Sequence, residues 1–471
     1  MSAVTDLAQD AALWLHRRMQ KRIPYDASNP FLEGPFAPAP TEYTETRLRV
    51  TGSIPRELNG ILARIGPNPR HVENPAAHHW FLGDGMVHGL RLRDGEACWY
   101  RSRFIGSDSV RKAQGMPPLP GARRGPIDVV NTNIVGHAGR LWALVEAGAL
   151  PVALDGELNS TGHHLFDSGQ RLGYTAHPHA DPVTGELHAI CYDGFDPFHL
   201  HHRVIDRNGR LTRDVAVPVK HGPMVHDCAL TRSHVVILDL PVTFSVKLAL
   251  GGAALPYGWN PRHEARIGLL PRNGDAGDVR WFAIDPCFVF HTANAYDLPD
   301  GSAIVDVVVH ARMFDRSRQG PEDQQVTFER WKLDAASGRV ERSVLSRETQ
   351  EFPRYDERLT GRPYRYAYAV AINIARPQPN ALLRHDVVSG ETVSHHYGAR
   401  DLSGEVVFVP RHADAAEHEG WLLSFVHDLD CGPSKVVILN ADDLGGAPQA
   451  VIELPVRVPL GFHGNWIPDL G

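Results

Sequence analysis

The sequence predicts a mainly β fold, radial in plan, and three observations carry that prediction. Short runs rich in β-branched and aromatic residues recur along most of the chain, each bounded by Gly, Pro, Asn or Asp. Glycine and proline number 43 and 36 among 471 residues, which multiplies turns at the expense of long elements. Four histidines in apolar or small-residue settings, His177, His226, His291 and His463, are scattered over most of the chain. Residues so far apart reach one ion most readily if their segments converge on an axis. A sandwich of this length would be unusually large, whereas a propeller grows by adding blades. No close internal repeat of the WD or kelch kind is visible.

In chain order, residues 5–22 place Leu7, Ala11, Trp14, Leu15 and Met19 at helical spacing, which predicts an amphipathic helix. Residues 23–42 are Pro-rich and read as an extended arm. Residues 1–42 are therefore expected as a helix and arm, and residues 43–471 as one β domain. Its strands are expected at Ile61–Ile65, Leu90–Leu92, Leu141–Val145, Leu187–Tyr192, Val235–Leu240, Ala303–Val309, Val326–Leu333, Trp421–Val426 and Val436–Leu439. Turn clusters such as Pro182-Val-Thr-Gly185 and Arg207-Asn-Gly-Arg210 separate them. Two stretches break the rhythm and read as cap insertions. Residues 106–126 are basic and rich in Pro and Gly, a long functional loop. Residues 242–258 are apolar, with Val242, Phe244, Val246, Leu248, Leu250 and Leu255. Two readings stay open for them: a lid packed on the body, or a patch that dips into a membrane surface.

Composition narrows the function classes. The balance of 42% hydrophobic and 22% charged residues is that of an ordinary globular protein. A net charge of -7 argues against nucleic acid, which wants a clustered basic face. Cys98, Cys191, Cys228, Cys287 and Cys431 are dispersed and form no CxxC pair, a usage that fits a reducing cytoplasm. No secretory signal is visible at the N-terminus, and no run reaches the roughly 18 apolar residues that span a bilayer. The expected location is cytoplasmic, with any membrane association left to the 242–258 stretch. No protein partner is implied.

Neutral imidazole is the commonest metal ligand because it buries no charge of its own. Other histidines compete for that role. His78-His79, His163-His164 and His199-Leu-His201-His202 are read as surface residues, because neighbours on a strand face opposite ways. His179-Ala-Asp181 and His412-Ala-Asp414 have the spacing of a two-histidine, one-carboxylate iron site, but both pairs stand in turn-like surroundings. A metal-bound imidazole normally donates its other N–H to a carboxylate or carbonyl. Glu146, Glu351 and Glu405, each flanked by apolar residues, are the candidates.

The chain resembles the carotenoid cleavage oxygenase family, which includes apocarotenoid oxygenases, lignostilbene dioxygenases and the retinal pigment epithelium isomerohydrolase. The resemblance runs from about Gly52 to the C-terminus. Its marks are Arg64-x-Gly66-Pro-Asn-Pro69, Gly83-Asp-Gly-Met-Val-His88, Ala176-His-Pro178, His226-Asp227, Phe290-His291, Glu351-Phe-Pro353, Phe408-Val-Pro-Arg411 and Phe462-His-Gly464. It implies a seven-bladed β-propeller with a helical and loop cap over one face. It also implies one ferrous iron on the propeller axis, held by His177, His226, His291 and His463, with Glu146, Glu351 and Glu405 behind them.

The chemistry implied is cleavage of one conjugated double bond by O2, giving two carbonyl products, on a lipophilic polyene held in an apolar tunnel. The two cap insertions would shape the mouth of that tunnel. In the stilbene-cleaving branch a lysine stands just before the first glutamate, where this chain has Val145. That favours a carotenoid or apocarotenoid over a stilbene or phenylpropenoid. Tyr100 matches an aromatic residue common to several branches and is expected to touch substrate. Outside the family, the rival reading is a catalytically silent binding scaffold.

Overall fold

The computed structural model describes residues 3–124, 128–317, 326–373 and 377–469. Seven antiparallel sheets, five of four strands and two of five, form the blades of a β-propeller. The innermost strands are Asn133–His137, His179–Ala180, Ala229–Leu230, Thr292–Asp297, Glu351–Tyr355, Asp401–Pro410 and Gly464–Pro468.

Strand position within a blade explains the hydropathy pattern. Ala303–His310, second in its blade, is buried at every residue because neighbouring blades cover both of its faces. The outermost strands Leu211–Pro218 and Val340–Ser346 are largely exposed and carry the charged residues. Each strand expected from the sequence is present with boundaries shifted by a few residues, as in Gly60–Pro67 and Gly420–Asp428.

The ring is stitched shut by both ends of the chain. Gly464–Pro468, near the C-terminus, pairs with Gly60–Pro67 and completes the first blade. Arg49–Gly52 pairs with Ala450–Glu453 on the outer edge of the last blade. Tyr43–Glu45 pairs with Glu96–Phe104 on the outer edge of the first. Leu62 and Leu90 then pack with Trp421 and Phe425 across the seam.

The N-terminal helix spans Ala3–Gln20, and the arm after it is held by packing. Phe31 and Phe36 are buried with Trp80 and Phe462, the Phe31 and Trp80 rings stacked at 5.9 Å. Because the Phe31 side chain joins the arm to the residue beside His463, Phe31→Ala should destabilise the protein. The expected loss is about 3–5 kcal/mol, the usual range for a buried Phe→Ala, read from the midpoint of denaturant unfolding.

Two expectations need correction. The tandem histidines do not all lie at the surface: His78, His79, His163 and His202 are buried. On a strand, alternation turns one member of a pair inward, as with buried His163 and exposed His164, whereas His78 and His79 follow the turn Pro75–Ala77 outside any strand and are both buried. Burial, reinforced by His78, lowers the pKa of His79 to about 3, and burial with His188 does the same for His202. Both rings are neutral.

None of the described residues of the stretch 106–126 lines the cavity facing the four histidines. Its described part forms a short helix, Asp108–Ala113, is tied to itself through Arg123 to Asp108, and is fastened to a blade through Arg124 to Asp193. Residues 125 and 126 lie outside the described residues. The 242–258 stretch does reach the site. A hairpin of Val242–Phe244 and Tyr257–Trp259 carries the short helix Val246–Leu250, which is bonded to the N-terminal helix through His16 Nδ1 and Ala249 O at 3.1 Å.

Candidate metal centre and the cavity facing it

Each of the four histidines stands immediately before the innermost strand of its blade, or one or two residues further back. His177 precedes His179–Ala180, His226 precedes Ala229–Leu230, His291 precedes Thr292–Asp297 and His463 precedes Gly464–Pro468. At that level the strands converge on the axis, so four imidazoles from four blades meet there. Their Nε2 atoms face one another: His177 to His226 at 3.1 Å, His226 to His291 at 3.3 Å and His291 to His463 at 3.2 Å.

This donor set fits a metal ion. Nitrogens bound about 2.1 Å from one ion and roughly at right angles lie about 3 Å apart, close to the spacing here. Without an ion, four converging lone pairs would repel. Burial, with His463 and His226 next, pushes the His177 pKa well below its ordinary value, so that ring is a neutral donor.

Three of the imidazoles are oriented from behind by carboxylates. His226 Nδ1 donates to Glu146 at 2.7 Å, His291 Nδ1 to Glu351 at 2.6 Å and His463 Nδ1 to Glu405 at 3.0 Å. Each glutamate stands where a strand is broken. Glu146 is followed by Ala147 in the left-handed region (φ 63°), and Glu351 by Phe352 (φ 58°). Glu405 lies in the register shift between Ser403 and Val406. Such irregularities redirect side chains that a regular strand would turn elsewhere.

Burial alone would raise the Glu351 pKa, but His291 and His310 together hold it well below the usual carboxylate range. Burial acts the same way on Glu405, where Arg354 and His463 prevail and hold the pKa at about 2. Both are ionised. His177 has no carboxylate behind it among the described residues.

On one side the centre opens to an apolar cavity. Phe81, Phe290, Phe352 and Phe462 form its wall, with Trp80, Val145, Leu255 and Tyr257 further along. Val145 lines this cavity beside Glu146. Tyr100 does not. It is fully buried between the first and last blades, hydrogen-bonded to His88 Nδ1 at 2.9 Å, and does not line the cavity. On the other side is a polar axial channel, lined by His179, Asp227, Arg354 and Asn465.

The His-x-Asp pairs assemble no site. His179 bonds Asp227 at 2.8 Å, Asp181 binds Arg272, and His412 and Asp414 are exposed. His179, Asp227 and Cys228 lie close enough to suggest a second ion. However, Asp227 is already saturated by His179, Thr292 and the Cys228 N–H.

Sequence reasoning missed His310 and Tyr192, which both line the cavity, and the aromatic wall. The wall had a signal, since Phe290, Phe462 and Phe352 each adjoin a site histidine or glutamate in sequence. His310 ends a strand that is apolar except for Asp306 and had none.

Fold and site together define a propeller enzyme built around an axial imidazole centre, with one apolar approach to it. The family model described as retinal pigment epithelial membrane protein matches residues 36–468. A carotenoid cleavage oxygenase from Mycobacterium tuberculosis is 40% identical, covering 94% of this chain and 98% of that protein. A carotenoid 9,10(9',10')-cleavage dioxygenase from Phaseolus vulgaris is 33% identical, covering 94% and 91%. Among solved structures, lignostilbene dioxygenase from Pseudomonas brassicacearum superposes with a TM-score of 0.85 at 29% identity, covering 95% of this chain and 100% of that one. A cobalt-substituted apocarotenoid oxygenase from Synechocystis gives 0.82 at 27% identity, covering 92% and 97%. The chain belongs to the carotenoid cleavage oxygenase family, and it is an enzyme of the dioxygenase class.

Proposed function

We propose that this chain is a non-haem Fe(II) dioxygenase that cleaves one conjugated double bond of a carotenoid or apocarotenoid with O2, yielding two aldehyde or ketone products. The observation that carries the reading is the convergence of four Nε2 atoms at the inner end of an apolar, aromatic-walled cavity. His177, His226, His291 and His463 would hold the ion. Bound there, ferrous iron supplies an electron-rich centre at which O2 and an alkene can react.

The protein's own part is orientation and exclusion. Glu146, Glu351 and Glu405 fix which nitrogen of each ring faces the axis and make those imidazoles better donors. The phenylalanine wall keeps water away and accepts a flat, apolar chain without asking it for hydrogen bonds. Both oxygen atoms enter the products, so no reductant is needed. The test is anaerobic loading with ferrous iron, followed by turnover of a carotenoid and an apocarotenal under isotopically labelled O2. Two labelled carbonyl products are expected; recovery of intact substrate with iron-loaded protein would overturn the reading.

The residue beside Glu146 should set the substrate branch. Val145→Lys would place an ammonium group in a cavity wall whose carboxylates, Glu146 and Glu351, are already committed to His226 and to His291 and His310. The expected result is a fall of about tenfold or more in kcat/KM for a polyene, equivalent to roughly 1.4 kcal/mol. Unchanged polyene turnover would mean that Val145 does not touch the substrate.

No helix among the described residues is long and apolar enough to cross a membrane. Trp14, Val246 and Leu250 are exposed on the N-terminal helix and on the stretch whose Leu255 and Tyr257 line the cavity. That placement supports uptake of a lipophilic substrate from a lipid surface. Co-sedimentation with lipid vesicles tests it, with Trp14→Ser/Val246→Ser expected to weaken binding.

A further inference from the structure

His310 is buried at 3% exposure, yet it forms part of the cavity wall. Its backbone is fixed by paired hydrogen bonds to Phe288, N to O in both directions at 2.8 Å. Its ring stands edge-on to Phe290, centroids 5.5 Å apart. Nε2 lies 2.5 Å from Glu351 Oε1, while Glu351 Oε2 takes His291 Nδ1 at 2.6 Å and the Phe352 N–H at 2.9 Å. An ionised carboxylate only accepts, so the His310 proton on that side sits on Nε2. In the neutral ring Nδ1 is then a lone-pair acceptor, and no described residue donates to it. An acceptor of this kind, held rigidly in an aromatic wall, has use only for a donor that arrives with the ligand.

We propose that His310 is a specificity-determining residue that accepts a hydrogen bond from a hydroxyl group on the substrate, and that the preferred substrates are hydroxylated conjugated alkenes. The proposal rests on the cleavage reading given above and narrows its substrate class. Through Glu351 the same imidazole braces His291, so seating of the hydroxyl is linked to the metal ligand by two hydrogen bonds. A substrate without the hydroxyl leaves Nδ1 dry and unpaired, a state that sites built for hydrogen bonding disfavour strongly.

The test compares two polyene aldehydes that differ only by one ring hydroxyl, in the wild type and in His310→Phe and His310→Gln. Two quantities are read for each protein: the ratio of kcat/KM values for the pair, and the ratio of their dissociation constants on metal-free protein. The latter is followed by quenching of tryptophan fluorescence, since Trp80 lines the cavity. Both ratios are internal to each variant, so partial unfolding or iron loss cancels. The wild type should favour the hydroxylated partner by about tenfold in both, the factor one such hydrogen bond gives. His310→Phe should bring both ratios close to one, and His310→Gln, which keeps an amide donor for Glu351 and a carbonyl acceptor, should restore part of the preference.

A wild-type ratio near one in binding, or a tenfold ratio that survives in His310→Phe, overturns the proposal. Equal cleavage of both aldehydes with no preference sinks this inference alone. A tenfold binding preference without cleavage of either sinks the catalytic reading instead and leaves the role of His310 standing.

Discussion

His291→Ala should abolish iron binding and cleavage together. His291 Nε2 lies within 3.3 Å of both His226 Nε2 and His463 Nε2, so its loss opens one side of the quartet. The damage extends outward, because Glu351 loses its imidazole partner on Oε2 and remains a buried charge with His310 and the Phe352 N–H. A buried charge short of a partner is destabilising in itself. Iron per chain after anaerobic loading should fall more than tenfold. Cleavage should fall more than about a hundredfold, since changes to residues merely behind a ligand already cost ten- to hundredfold. Circular dichroism of the purified variant separates lost iron from lost fold. Iron bound near one per chain in folded His291→Ala would remove this histidine from the ligand set.

Glu351→Gln should leave a folded protein with weakened iron affinity or activity, by about ten- to hundredfold. The amide carbonyl can still accept from His291 Nδ1. The amide NH2 then faces His310, which adjusts by moving its proton from Nε2 to Nδ1. Hydrogen bonds are therefore conserved and only the negative charge is lost. That charge makes His291 a stronger donor, and removing it draws electron density back from the metal-facing nitrogen. Iron affinity from competition with a chelator gives the size of the effect. Wild-type affinity and activity in this variant would show that hydrogen bonding alone, without charge, suffices at this position.

The sequence by itself determined the fold class and many strand positions, and it nominated the four histidines and the three glutamates. Strands were legible because blade strands must be apolar where neighbouring blades cover them, and that requirement is local. The ring closure was not, since Gly464–Pro468 carries no sign that its partner is Gly60–Pro67, some four hundred residues away. The histidines were recognisable as family words such as Phe290-His291 and Phe462-His-Gly464. That three have carboxylates and His177 does not was decided only in three dimensions, by strand breaks at Ala147, Phe352 and Ser403–Val406 that no periodicity announces.

Two misplacements share one physical reason. Tyr100 was expected at the substrate and lies in the seam between blades, and His310 was passed over and stands in the cavity wall. Alternation along a strand gives a side chain one of two faces, but in a propeller both faces are covered. Whether a covered face meets the next blade or the axial cavity depends on distance from the axis. Only the closed ring sets that distance.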